Sequence, residues 1–106
     1  MAEKFLYLTT IGHKTGHPHT IEIWYVDYED CYVLCAEHRE KSDWVKNIQK
    51  DANITFSVAE RDSTVQPQHG IADIISDESH IQALTMLFDA KYKWSAGLFI
   101  RICPKT

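Results

Sequence analysis

The chain has 106 residues, a length that predicts one domain with a core of its own. Its 15 acidic and 11 basic side chains give a net charge of -4. This balance argues against general nucleic-acid binding, which depends on neutralising phosphates. No apolar run approaches the roughly 20 residues that cross a bilayer, and Met1 to Lys4 lacks the features of a signal peptide, so we expect a soluble cytoplasmic protein.

Strands are predicted on both sides of a polar turn near the start of the chain. Phe5 to Thr10 is an apolar and β-branched run. His19 to Asp27 alternates with the period of two that is typical of a strand, which places Trp24 and Tyr25 on opposite faces. Cys31 to Ala36 is nearly all apolar and predicts a third strand that is buried on both faces.

Two helices and three further strands are predicted in the rest of the chain. Ser42 or Asp43 can cap a helix that runs through Lys50, and acidic residues in the first turn after Ser76 favour a second helix. The other predicted elements are strands over Ile54–Ala59, Gly70–Ile75 and Leu98–Cys103, a polar loop over Glu60–His69 and an aromatic connection over Ala90–Gly97. The pattern predicts a mainly β fold with two helices, in which about six mostly antiparallel strands close into a small barrel.

The three cysteines, Cys31, Cys35 and Cys103, fit no spacing of zinc ligands. On one strand Cys31 and Cys35 would lie about 13 Å apart, at roughly 3.3 Å per residue, which is too far for a disulfide. We therefore expect buried free thiols in a reducing compartment.

The turn between the first two strands carries groups that can bind an anion. Lys14 is its permanently charged cation, and a histidine can add a proton near neutral pH. The polar side chains of this segment are His13, Lys14, Thr15, His17, His19 and Thr20. A phosphate or carboxylate is the ligand that such a turn suits. The alternatives are a solvated hairpin turn that binds nothing and a metal site at the histidines, although no neighbouring carboxylate completes a ligand set.

Aromatic residues suggest a wall for a planar ring. At most one of Trp24 and Tyr25 can face a given pocket, and Trp44 either anchors its helix or contacts a ligand. Tyr92 lies in the predicted connection before the last strand, where it is a candidate proton donor. The sequence contains no nucleophile–histidine arrangement and no Walker or Rossmann glycine motif, so any chemistry would require a bound cofactor.

The segment from Leu8 to Thr20 resembles the Gly-Arg-Lys-(Ser/Thr)-Gly-x-x-Arg motif of the deazaflavin (F420)-dependent nitroreductase family. The likeness continues in Tyr32–Ala36 and in Asp43–Ile48, and it returns weakly at Phe99–Pro104. This family belongs to the split β-barrel superfamily, which also holds FMN-binding proteins that resemble pyridoxamine-phosphate oxidase. The resemblance implies a single split β-barrel over residues 1–106 and a homodimer.

The resemblance also implies a cofactor, FMN or F420, whose phosphate and acidic tail are held by the basic turn and by the loop before the first helix. The resemblance and the aromatic pattern together assign these residues to cofactor binding: His13, Lys14, Thr15, His19, Thr20, Trp24, Ala36, Arg39, Lys41 and Trp44. His13 and His19 stand where the family has arginine, and Glu22 stands where proline is common, so its carboxylate would oppose an anionic cofactor.

The function implied is that of a flavin- or deazaflavin-dependent oxidoreductase that transfers a hydride to a small electron-poor acceptor, such as a quinone, a nitro compound or an enone. Two alternatives remain open. One is a non-catalytic binding protein for a flavin or another anionic ligand, and the other is a dimeric barrel whose partner is another protein.

Overall fold

The computed structural model describes residues 4–61 and 65–105, and these ranges contain seven strands and two α-helices. In chain order they are β1 Lys4–Ile11, β2 Pro18–Ile23, β3 Tyr25–Tyr28, β4 Cys31–Ala36, α1 Asp43–Lys50, β5 Asn53–Glu60, β6 Gln68–Ile74, α2 Glu78–Tyr92 and β7 Leu98–Pro104. The mainly β fold with two helices is confirmed. The strand count is seven rather than about six, because the strand predicted over His19–Asp27 breaks at Trp24.

All strand pairs are antiparallel, and the strands follow the order β2-β1-β5-β6-β7-β4-β3. The two edge strands, β2 and β3, are separated in sequence by Trp24 alone. A single residue spans only about 3.5 Å, so the sheet must curl until its two edges approach each other. The result is the split, half-closed barrel that the resemblance implies, with Trp24 at the seam.

Two apolar clusters hold the barrel and its helices together. The first fills the barrel and includes Leu8, Leu34 and Phe56, against which α1 packs Val45 and Ile48. The second joins the outside of the sheet to α2 and contains Val33, Leu84, Phe88 and Phe99. Removal of these side chains from water is the main favourable contribution to folding.

The prediction of free thiols is wrong for two of the three cysteines, because Cys31 and Cys103 form a disulfide. β4 and β7 pair with Tyr32 opposite Ile102, so Cys31 and Cys103 also face each other across the two strands. The spacing of Cys31 and Cys35 along one strand carries no information about which strand lies beside it. Cys35 is free and buried, as expected, and burial raises the pKa of its thiol to about 11. This thiol is therefore protonated at neutral pH and a poor nucleophile.

The start of each helix and the end of α1 at Lys50 agree with the sequence, whereas α2 extends beyond its predicted end. Ser42 is the N-cap residue of α1, as predicted, and Asp77 caps α2 by accepting a hydrogen bond from the His80 N–H group. α2 continues to Tyr92, so this residue lies on the last helical turn and not in a connecting loop. Lys93 then adopts the left-handed conformation, with φ of 57°, that often ends a helix.

Parts of two predictions, those for Met1 to Lys4 and for the Glu60–His69 loop, lie outside the described residues. Arg39–Lys41 forms one turn of 3-10 helix between β4 and α1. Neither described α-helix has the length and apolar character needed to cross a membrane.

Candidate functional site

The polar turn between β1 and β2 is closed by its own backbone. The Gly16 N–H donates to the Gly12 carbonyl at 2.9 Å, and the Gly12 N–H donates to the His17 carbonyl at 2.8 Å. Gly16 has a φ of 73°, which glycine adopts at little cost. A Cβ at Gly12 would lie 2.6 Å from the Thr15 hydroxyl oxygen and 3.0 Å from His19 Nε2. Glycine there lets these two polar side chains approach the backbone closely.

Asn47 on α1 ties this turn to the rest of the molecule. Its side chain is 3% exposed, and its Oδ1 accepts a hydrogen bond from the His13 N–H at 2.8 Å. Oδ1 also lies 2.6 Å from His13 Nδ1, and Nδ2 donates to the Thr10 hydroxyl at 2.9 Å. Lys50 Nζ donates to the His13 carbonyl at 2.9 Å. His13 is thus held at its backbone and at its ring by one helix.

A cavity of about 390 Å³ lies between the turn and the start of α1. Its walls are formed by Gly12, His13, Lys14, Thr15, His19, Ile21, Asp43, Trp44 and Asn47, and we call this space the cradle. Within residues 4–61 and 65–105, Lys14 forms no ion pair, so its ammonium group is not neutralised by a neighbouring side chain. Asp43 is an acidic group on the same wall.

A second cavity, of about 670 Å³, lies beside the cradle and is mainly apolar and aromatic. Its walls include Phe5, Ile21, Ile23, Trp24, Cys35, Ala36, Ser42, Trp44, Phe88, Tyr92 and Trp94, and we call it the aromatic cavity. Ile21 and Trp44 line both cavities. The two spaces therefore adjoin at these two side chains, and we call them together the groove, which has a cationic end and an aromatic end.

The seam of the barrel is held by Tyr92 at the end of α2. The Tyr92 ring stacks on Trp24, with centroids 4.5 Å apart and planes within 1° of parallel. Its hydroxyl donates to the Tyr25 carbonyl at 2.8 Å and accepts from the Tyr25 N–H at 3.2 Å. Trp24 is 42% exposed and lines the aromatic cavity, whereas Tyr25 is buried in the core. Because the Tyr92 hydroxyl both donates to and accepts from the backbone of Tyr25, the geometry favours a structural role for Tyr92 over proton donation.

Replacing Tyr92 with phenylalanine distinguishes these two roles. We expect the free energy of unfolding to fall by about 1 to 2 kcal/mol, because the Tyr25 N–H loses its partner at the seam. Lys91 Nζ still donates to the Tyr25 carbonyl at 3.0 Å, which limits the loss. Urea denaturation measures this change, and kcat for the reduction that the resemblance implies measures the other role. A large fall in kcat with unchanged stability would establish Tyr92 as the proton donor.

Glu22 lies on the wall of the aromatic cavity, and its charge is matched there. Arg61 Nη2 donates to Glu22 Oε1 at 2.6 Å, and the Tyr7 hydroxyl donates to Oε2 at 2.9 Å. The hydrogen bond from Arg61, followed by that from Tyr7, lowers the pKa of the Glu22 carboxyl, which is therefore ionised at neutral pH. A paired carboxylate repels an anionic ligand less than the unpaired one expected from the sequence.

The structure brings most of the sequence-predicted residues together in the groove. The cradle contains His13, Lys14, Thr15, His19 and Trp44, and the aromatic cavity contains Trp24, Ala36, Trp44 and Tyr92. Three predicted residues line neither cavity. The Thr20 hydroxyl lies 2.7 Å from that of Thr9 on an exposed face, and Arg39 and Lys41 belong to the exposed 3-10 turn. The binding roles of all these residues remain predictions.

Ser42 and Arg61 are groove residues that the sequence did not indicate. Ser42 occupies the N-cap position of α1, yet its hydroxyl makes no capping hydrogen bond, so it is available to a ligand. Serine before an acidic first turn usually caps the helix. The sequence therefore gives no separate reason to expect Ser42 to bind a ligand. Arg61 follows β5, and only the pairing of β5 with β1 brings it near β2.

Comparisons with known proteins agree with this architecture. A family model described as F420H(2)-dependent quinone reductase matches residues 1–87. No curated protein sequence shows significant similarity to the chain.

Three solved structures illustrate the fold. An F420 reductase is 18% identical with a TM-score of 0.66, covering 96% of this chain and 86% of its own. The conserved hypothetical protein Rv2991 from Mycobacterium tuberculosis is 17% identical with a TM-score of 0.76, and the match covers 98% of this chain and 74% of that protein. The heme storage protein HutZ from Vibrio cholerae is 13% identical with a TM-score of 0.67, and the match covers 96% of this chain and 82% of that protein. At these identities the likenesses show a shared fold.

Proposed function

The chain belongs to the F420H(2)-dependent quinone reductase family, and on that premise we propose that it binds F420 in the groove and reduces a quinone. Bound reduced F420 supplies a hydride, and the protein supplies binding, orientation and exclusion of water. The observation that carries the proposal is that the cradle and the aromatic cavity adjoin at Ile21 and Trp44. A groove of this kind fits a ligand with an anionic part at one end and a flat ring at the other.

The cradle suits the phosphate and acidic tail of the cofactor. Lys14 offers an ammonium group without an ionic partner in the described part of the chain, and His13 and His19 offer ring nitrogens. Charge-assisted hydrogen bonds to phosphate are about twice as strong as neutral ones. Asp43 opposes an anion, and the positive end of the α1 dipole, which lies at the same place, offsets part of this repulsion.

The aromatic cavity suits a planar ring system. Trp24, Trp44 and Trp94 provide faces and edges on which a ring can stack. Ala36, which is 1% exposed, keeps one wall small, and the protonated Cys35 thiol beside it adds no charge. The stack of Tyr92 on Trp24 gives the tryptophan ring a fixed orientation at the seam. These side chains can position a ring and exclude water from one of its faces.

Two titratable side chains of the aromatic cavity, those of Tyr92 and Glu22, are not suited to donate a proton. A quinone takes up one proton with each hydride, whereas the Tyr92 hydroxyl is engaged by Tyr25 and the Glu22 carboxyl is ionised. Two further wall residues, Glu37 and His38, have side chains that are mostly exposed to water, so we propose that the proton comes from solvent, directly or through one of them. Enones take up a hydride and a proton as quinones do, and a nitro group reduced to a nitroso group also releases water; both are alternative acceptors.

Titration of the purified protein with F420, followed by fluorescence, tests the proposal. We expect a Kd below about 100 μM, equivalent to about -5.5 kcal/mol, and turnover of at least one quinone with reduced F420. FMN is titrated in parallel, because the sequence leaves both cofactors open. Failure of F420 to bind at this level would contradict the proposal, whether or not FMN binds.

A non-catalytic binding protein is the second candidate, and the engaged Tyr92 and Glu22 favour it. Under this alternative the cofactor binds with the same affinity, but quinones, nitro compounds and enones are not reduced. The same titration followed by a reductase assay therefore separates the two candidates.

We further propose that two copies of the chain associate. Trp24 is 42% exposed at the seam, and α2 exposes 74% of Met86 and 40% of Leu87. Covering such side chains is favourable in proportion to the apolar area removed from water. Sedimentation equilibrium tests this proposal: a mass of twice 12.3 kDa supports it, and a mass of 12.3 kDa at micromolar concentration contradicts it.

A further inference from the structure

The orientation of the Asn47 side-chain amide follows from its partners. The backbone N–H of His13 can only donate, so the Asn47 atom at 2.8 Å from it must be the carbonyl oxygen Oδ1. The amide nitrogen Nδ2 then lies toward Thr10, whose hydroxyl oxygen accepts its hydrogen bond at 2.9 Å. A flipped amide would place two donors against each other, which excludes that arrangement.

This orientation determines which nitrogen of the His13 ring carries a proton. Asn47 Oδ1 has lone pairs and no hydrogen, and it lies 2.6 Å from His13 Nδ1. Nδ1 must therefore be the donor and carry the hydrogen. In neutral His13 the other nitrogen, Nε2, is then an unprotonated acceptor. Within residues 4–61 and 65–105, Nε2 makes no hydrogen bond to protein, and His13 is one of the residues that line the cradle.

An acceptor at Nε2 cannot donate to a phosphate oxygen, whereas the imidazolium form can. We propose that His13 binds the anionic part of F420 only as the imidazolium, so that cofactor binding takes up a proton at Nε2, and that Asn47 is the positioning residue that imposes this coupling. The inference rests on the proposed function, since it concerns the same ligand in the same cradle. An arginine at this position would bind without any proton exchange.

Four charged or titratable groups around His13 affect whether its ring carries a positive charge. Lys14 and His19, from the turn and β2, and Lys50, from α1, disfavour a further positive charge on the ring. Asp43, also on α1, favours it. A bound phosphate adds negative charge to the cradle and shifts this balance toward the imidazolium. Because binding takes up a proton, the affinity for F420 falls as the pH rises.

The tautomer is tested without any ligand. A long-range 1H–15N correlation spectrum of the histidine rings at pH 8 should show His13 with its hydrogen on Nδ1. If the hydrogen is on Nε2, neutral His13 is already a donor to the cradle and the proposal is overturned. In a folded Asn47→Ala variant, the ring should lose its preference for the Nδ1 hydrogen.

Proton uptake is tested by calorimetric titration with F420 at pH 7.5, in two buffers that differ in ionisation enthalpy. Protons taken up by F420 itself are common to all variants, so the difference between wild type and His13→Arg reports the protein. We expect wild type to take up more protons than His13→Arg, by up to one per site, and its affinity to fall by up to about tenfold per pH unit. His17→Gln, in the same turn but outside the cradle, should behave like wild type.

Two outcomes of the F420 titration separate failure of this inference from failure of the proposed function. Binding of F420 with equal proton uptake in wild type and His13→Arg would overturn this inference and leave the proposed function intact. Absence of F420 binding between pH 6 and 8 would contradict the proposed function, and the tautomer measurement would still test the role of Asn47.

Discussion

Replacing Lys14 with alanine should weaken F420 binding about 30-fold. The ammonium group lines the cradle and has no ionic partner in the described part of the chain, so its charge is available to a phosphate. A hydrogen bond to a charged group contributes about 2 kcal/mol, which corresponds to this change in Kd. Fluorescence titration of F420 at fixed ionic strength measures the effect, because salt screens such interactions.

Lys46→Ala is the matched control for this variant. Lys46 is exposed on α1 and lines neither cavity, but its removal changes the net charge by the same amount. We expect its effect on Kd to be less than about twofold, since water and salt screen an exposed charge that makes no direct contact with the ligand. Equal losses in the two variants would mean that Lys14 acts through net charge and not through contact in the cradle.

Removing the disulfide should produce the largest loss of stability. Cys31 and Cys103 are 72 residues apart, so the bond closes most of the chain into a loop and restricts the unfolded state. The chain-entropy model assigns about 4 kcal/mol to a loop of this length. We expect the Cys31→Ser, Cys103→Ser double variant to lose about this much free energy of unfolding in urea denaturation under oxidising conditions.

Reducing agent provides the control for the disulfide prediction. Dithiothreitol should destabilise the wild type toward the level of the double variant and leave the double variant unchanged. A wild type that is insensitive to reductant would contradict the prediction. Structural disulfides are uncommon in reducing compartments, so reductant sensitivity would also argue against the cytoplasmic location expected from the sequence.

Local sequence patterns predicted the elements well where each element depends on its own residues. The alternation around Ile21, the serine before α1 and the turn residues at Gly12 and Gly16 each have a local physical cause. The break at Trp24 has none, since no glycine or proline marks it and the alternation continues through it. It arises from the curl of the whole sheet, which places β2 and β3 at opposite edges.

The sequence indicated the turn side chains that line the cradle, but not the residues that they contact. The contacts of His13 with Asn47 join residues 34 apart, and those of Glu22 with Arg61 join residues 39 apart. Such distances along the chain leave no periodic signal. The position of Tyr92 depended on a helix that continues past its predicted end, and the Cys31–Cys103 bond depended on which strand pairs with β4.

A crystal structure of the protein with F420 tests the central claim most directly, because the claim concerns where each end of the cofactor lies. The account predicts a phosphate oxygen within hydrogen-bond distance, about 3 Å, of Lys14 Nζ and His13 Nε2, and the deazaflavin ring against Trp24 and Trp44 in the aromatic cavity. A cofactor bound outside the groove, or bound with its ring at the cradle and its phosphate among the tryptophans, would contradict it.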